Sequence, residues 1–236
     1  MDKIKYLSRI QLFSELEIEE LKKIEPVTPM KVIKKGTIIT SPHMDQKILY
    51  LIKSGNVRLY KLSEGGKEFT IDILGTGHVF GEIGSFTTGS ENMYAETWED
   101  SIICTIDKNQ FEKIIHDRPS VSLKFIEMVS NRLKEVEELL EYMAYSSVRK
   151  RLLYLLHKLA VKFGGELPSS NPKEVDWIQL EIPITHHEIA MMIGSIRETV
   201  TSLLNDLTKE GIVRKVGNRK PIKIHFALLK RALEEE

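Results

Sequence analysis

Between residues 30 and 110 apolar side chains recur at every second position in short runs; after Asp107 they recur at every third or fourth. Alternation suits a strand and three-and-four spacing suits a helix, so the chain must change architecture near Asp107. The first part comprises VIKKGTIIT, KILYLIKSGNVRLYKL, EFTIDILG and SIICTID, broken at Lys35-Gly36, Ser54-Gly55, Gly65-Gly66, Gly75-Thr76-Gly77 and Thr88-Gly89. Short strands at near-regular spacing with glycine turns predict a small antiparallel β-barrel or sandwich. Ahead of it, residues 8–25 predict short helices with Ser14 as a cap, stopped by Pro26 and Pro29.

Past Asp107, KNQFEKIIHDRP predicts one helix, and Ser120 to about Tyr145 predicts a long second one. In the long helix Ile126, Val129, Leu133, Val136, Leu140 and Met143 alternate steps of three and four, which is coiled-coil seam spacing. Beside a complete barrel, such a seam predicts a parallel homodimer; a helix lying along its own barrel is the other reading. Polar residues in AYSSV (144–148) interrupt the seam and mark a hinge. SSVRKRLLYLLHKLAVKFGGEL predicts a further amphipathic helix stopped by Gly164-Gly165. WIQLEIPIT predicts a short strand. IVRKVGNRKPIKIHF predicts a hairpin turned at Gly217-Asn218 and bearing Lys215, Arg219 and Lys220.

Before the hairpin lies THHEIAMMIGSIRETVTSLLNDL (185–207). Ile189, Ala190 and Ile193 share one helical face, and Val200, Leu203, Leu204 and Leu207 share another. Helix, tight turn at Gly194, helix and basic hairpin make the order of a winged helix-turn-helix. The outward face of the second helix is then free to enter a DNA major groove. Arg197 can donate two parallel hydrogen bonds to guanine, and Glu198 can accept from cytosine N4. Thr201 and Ser202 extend this base-reading set. Thr185, His186, Ser195, Thr199, Lys215, Arg219 and Lys220 are the candidate phosphate contacts, with the Thr185 amide offered at a helix start.

Composition sets bounds on this reading. At 236 residues, 42% hydrophobic and 29% charged, the chain suits one large or two ordinary globular domains. Charge balances overall, yet residues 1–145 carry 19 basic against 23 acidic groups and residues 146–236 carry 15 against 11. A basic rear half fits a polyanion-binding module. The single Cys104 excludes an internal disulfide and reads as a small buried hydrophobe. No apolar run nears the roughly 18 residues of a spanning helix, so a soluble cytoplasmic protein is expected, with no membrane partner. Glu82, Ser85 and His78 are close in sequence but form no nucleophile–base–orienter set, and no metal triad emerges; an enzyme is not expected.

With these parts in order, the chain resembles the Crp/Fnr family of transcription regulators over roughly residues 10–228. FGEIGSF (80–86), NRLKEVEELL and ITHHEIAMMIGSIRETV (184–200) carry the resemblance. It implies an α+β protein: an N-terminal antiparallel β-barrel (jelly-roll, cyclic-nucleotide-binding-like) over 1–117, a dimerisation helix over 118–145, and a winged helix-turn-helix domain over 146–236. It also implies a homodimer on a near-palindromic double-stranded operator, with RNA polymerase as a partner. The family's further guanine-reading arginine falls on Ser202, so the half-site should differ there.

In family members that bind cyclic AMP, the Gly-Glu matching Gly81 and Glu82 receives ribose, and a later Arg-Ser pair holds the phosphate. Here Asn92 and Met93 stand at that pair, and the adenine-contacting hydroxyls match Val136 and Glu137. Those losses disfavour cyclic AMP. Gly81, Glu82, Asn92, Met93, Tyr94, Val136 and Glu137 remain a candidate pocket for another small-molecule effector, and a regulator needing none is equally open. Gly81 and Glu82 also admit a purely structural role. No cofactor is expected; haem stays open, although His43, His78, His116 and His157 offer no evident axial pair. The alternative function is a cyclic-nucleotide-binding module acting through protein contacts.

Overall fold

The computed structural model describes residues 3–42, 44, 47–66, 68–83, 86–88, 93–166, 176–215 and 221–235. It divides into two compact units, Met1–Val136 and Glu137–Glu236.

The first unit opens with helices α1 (Lys3–Leu7) and α2 (Ile18–Ile24). Ser14 does not cap α2: its hydroxyl donates to the Gln11 carbonyl, and the helix starts at Glu17, whose amide donates to Glu20. Nine strands follow: β1 (Met30–Ile33), β2 (Ile38–Thr40), β3 (Ile48–Ser54), β4 (Val57–Leu62), β5 (Glu68–Leu74), β6 (Val79–Ile83), β7 (Phe86–Thr87), β8 (Tyr94–Thr97) and β9 (Ser101–Asp107). They form two antiparallel sheets, ordered β1-β9-β3-β6-β7 and β2-β8-β4-β5. The expected barrel is thus built as two facing sheets, and among the described residues no pairing closes them into one ring.

The continuous apolar run of β3 follows from burial on both faces. Tyr50 and Ile52 join Val57, Leu59, Leu74, Phe80, Ala95 and Ile103 between the sheets, where Tyr50 stacks on Phe80 at 4.9 Å. Leu49 and Leu51 point the other way, with Val79, Ile83, Cys104 and Ile106, into a second core roofed by the N-terminal helices and by Phe111, Val121 and Phe125. Cys104 is buried there, as its apolar strand predicts.

Asp107 caps α3 (Lys108–Asp117) by accepting from the Gln110 amide, which fixes the change of period at that residue. Helix α4 (Pro119–Tyr145) follows. The second unit then adds α5 (Val148–Phe163), β10 (Gly164–Glu166), β11 (Trp177–Leu180), α6 (His186–Met192), α7 (Arg197–Lys209), β12 (Val213–Lys215), β13 (Ile222–His225) and α8 (Phe226–Glu235). Its sheet has the antiparallel order β10-β11-β13-β12. Between α4 and α5 the helix breaks at Ser146-Ser147, within the AYSSV segment, where the Ser147 hydroxyl accepts from the Lys150 amide and starts α5. Helix α5 ends at Gly164-Gly165 as expected, with Gly164 extended at φ −77° and ψ 118° and opening β10. No described helix is long and apolar enough to cross a membrane.

Candidate nucleic-acid interface

Helices α6 and α7 meet through small and branched residues: Ile189, Ala190 and Ile193 on one side, Val200, Leu204 and Leu207 on the other, all buried. The reversal between them needs Gly194, whose φ of +61° lies where side chains are strained. The Ser195 amide closes the turn on the Ala190 carbonyl at 2.9 Å. Burial of the Val200–Leu204–Leu207 stripe turns Arg197, Glu198 and Ser202 outward, and all three are exposed. An arginine and a carboxylate therefore stand together at the N-terminal end of α7, the end that reaches base edges in helix-turn-helix proteins.

Other expected contacts are placed differently. The Thr201 hydroxyl gives its hydrogen to the Arg197 carbonyl at 2.8 Å, so the His186 Nδ1, also 2.8 Å away, must donate to its oxygen. Thr201 and His186 thus lace α6 to α7, and the Thr201 hydroxyl is engaged within the helix pair. The Thr185 amide, expected at a phosphate, is taken by the Glu188 carboxylate at 2.6 Å, while the Thr185 hydroxyl accepts from the Glu188 amide. This capping box puts negative charge where a phosphate would approach, which corrects that expectation. Thr199 and Ser195 are half-buried. Strands β12 and β13 pair as the wing requires, but Arg219, Lys220 and the Lys215 side chain lie outside the described residues. Arg149 in the first turn of α5 forms a bidentate pair with Glu210 at 3.0 and 2.7 Å, clamping α5 to the end of α7.

The seam on α4 is partly rearranged. Ile126, Leu133, Val136 and Leu140 are exposed, together with Leu123, and form a bare apolar stripe. Val129 instead packs against the roofed core. Met143 lies under the helix-turn-helix, where a Cβ on Gly194 would meet its methyl at 2.9 Å and Arg151 Nη1 is 3.7 Å from its sulfur. Both thus make contacts within their own chain as well.

The described effector candidates on the strands have different surroundings. Met93 packs in the inter-sheet core with Ala95, whereas Tyr94 points to the opposite face of β8 and stacks on Tyr60 at 5.2 Å. Gly81 has a φ of +104°, and a Cβ there would run into the Ile48 carbonyl oxygen. That requirement comes from the pairing of β6 with β3. Val136 and Glu137 are exposed, and Asn92 lies outside the described residues. The sequence reading missed Arg132 of α4, which donates to Asp72 of β5 at 2.5 Å and to Glu135 at 3.1 Å. Asp72, only 9% exposed, shares the inward side of its sheet with Leu59 and Leu74. Asp72 set between Ile71 and Ile73 in EFTIDILG, on the alternation shared with Leu74, was the available signal.

Comparison with known proteins accords with this layout. Residues 30–118 match the cyclic nucleotide-binding domain family, and residues 150–229 match the Crp-like helix-turn-helix domain family. The cyclic AMP receptor protein of Thermus thermophilus is 32% identical over 166 residues, 70% of this chain and 70% of that protein. The global nitrogen regulator of Synechocystis is 31% identical over 183 residues, 76% of each. Among solved structures, a CooA variant from Carboxydothermus hydrogenoformans superposes with a TM-score of 0.73 at 27% identity and covers 94% of both chains.

Proposed function

Since this chain belongs to the Crp/Fnr family and is a DNA-binding transcription regulator, we propose that it acts as a homodimer whose paired α7 helices read a near-palindromic operator. The observation that carries the reading is the exposure of Arg197 and Glu198 at the leading end of a helix whose opposite face is buried on α6. Arg197 reads a guanine through O6 and N7, Glu198 accepts from a cytosine N4, and Ser202 faces the next positions. Two such helices related by a two-fold axis enter successive major grooves about 34 Å apart. The bare stripe on α4 supplies the apolar surface that joins the copies. RNA polymerase is the partner through which such a dimer acts on a promoter.

The sensory unit works with an effector other than cyclic AMP, or with none. A cyclic phosphate needs a free cationic partner, and Met93 offers a thioether within the inter-sheet core while Arg132 is already held by Asp72 and Glu135. Haem stays open, with no evident axial pair among the described histidines. Calorimetry with cyclic AMP and cyclic GMP tests the first statement, and a visible spectrum of the purified protein tests the second.

The operator reading is tested by selecting binding sites from a random duplex pool and measuring Arg197→Ala. Loss of a bidentate guanine contact should lower affinity for the selected site by about 1–3 kcal/mol and leave non-specific binding unchanged. An unaltered ratio of specific to non-specific affinity would falsify the role given to Arg197.

A further inference from the structure

One residue at this interface is of the wrong chemistry for its structural position. Ile196 is the N-cap of α7, with φ −105° and ψ 153°, and its side chain makes no capping hydrogen bond. Serine, threonine, aspartate and asparagine are preferred there because their oxygens satisfy the first amides of the helix, which isoleucine cannot do. The same side chain is 61% exposed, the large apolar group left in water on the described helix-turn-helix, and it directly precedes Arg197. Its branched methyls thus stand at the tip of the helix, beside the guanidinium, where neither capping nor core packing accounts for them.

We propose that Ile196 is a specificity-determining residue, packing on the C5-methyl of a thymine next to the base pair read by Arg197. The major-groove edges of the four base pairs carry one apolar group, the thymine methyl, and apolar side chains recognise it by contact. The inference rests on α7 being the recognition helix.

The test uses the full-length protein and the duplex selected from a random pool, with each thymine replaced in turn by deoxyuridine, which removes only the methyl. Burial of one methyl amounts to about a fourfold effect per half-site. One thymine in each half-site should therefore show about that loss, and symmetric replacement about its square. Ile196→Ser should bind the thymine and deoxyuridine duplexes equally, with a melting temperature no lower than the parent's. Arg197→Ala should keep the methyl dependence. A parent indifferent to the methyl at every thymine overturns the inference while leaving the operator reading intact, as does an Ile196→Ser protein equally sensitive to the methyl. A pool that yields no shared sequence overturns the operator reading and this inference together.

Discussion

A threonine hydroxyl has a single hydrogen to give, and Thr201 spends it on the Arg197 carbonyl while accepting from His186. Spacing alone puts Thr201 on the outward face with Ser202, because a helical wheel records direction and not the partners a side chain finds. Thr201→Val keeps the shape and removes both bonds. It should cost about 1 kcal/mol in urea unfolding and leave the selected operator sequence unchanged. A changed base preference at one position would return Thr201 to the reading set. His157 makes a second prediction at this scale. Burial against Phe226, 5.3 Å away, is the main cause that lowers its pKa from 6.5, and Lys230 adds to it. Between the lowered value and 6.5 the unfolded chain binds more protons than the folded one, so stability rises with pH there. Thermal unfolding should show stability intact above about pH 6.5 and declining as pH falls below it, with a smaller decline in His157→Gln. An identical pH profile for the two proteins would remove His157 as the cause.

At the scale of elements, the strands, the long helix and the helix-turn-helix were legible because each carries its own period and punctuation. Helix α8 was not. Strand β13 runs into it without glycine or proline, and its first turn is capped by a histidine ring: the His225 Nδ1 accepts from the Leu228 amide at 3.5 Å. Leu229 is fully buried, yet the run of charge around it reads as a solvated tail. The Asp72–Arg132 pair was invisible for another reason: its partners are 60 residues apart, and only the fold brings β5 to α4. This pair now sets where α4 lies on the sensory sheet. Both side chains are largely buried, so removing one partner leaves a charge poorly solvated. Asp72→Asn and Arg132→Gln should each destabilise the protein by about 1–3 kcal/mol, with the double variant losing less than the sum. Strict additivity in that cycle would show the pair to be uncoupled.

For the whole molecule, the dimer proposed above would make the stripe of Leu123, Ile126, Leu133, Val136 and Leu140 tie assembly to DNA recognition. Leu133 is 59% and Leu140 63% exposed in the single chain, positions that a soluble helix ordinarily fills with polar groups. Full burial of a leucine is worth about 1.5–3 kcal/mol, and a two-fold interface counts each substitution twice. Leu133→Lys with Leu140→Lys also places like charges across the axis, so the variant should sediment as a monomer at micromolar concentration where the parent sediments as a dimer. One α7 helix grips one half-site, and joining two makes the second contact intramolecular, with gains of about 10²–10⁴ over a single engagement. The monomeric variant should therefore bind an isolated half-site as the parent does and lose about that factor on the complete operator. Substitutions on α4 leave α7 untouched, so a drop confined to the complete operator assigns the loss to pairing. Equal losses on both duplexes would mean that α4 acts on the reading head of its own chain, and the zipper would then not be what sets operator affinity.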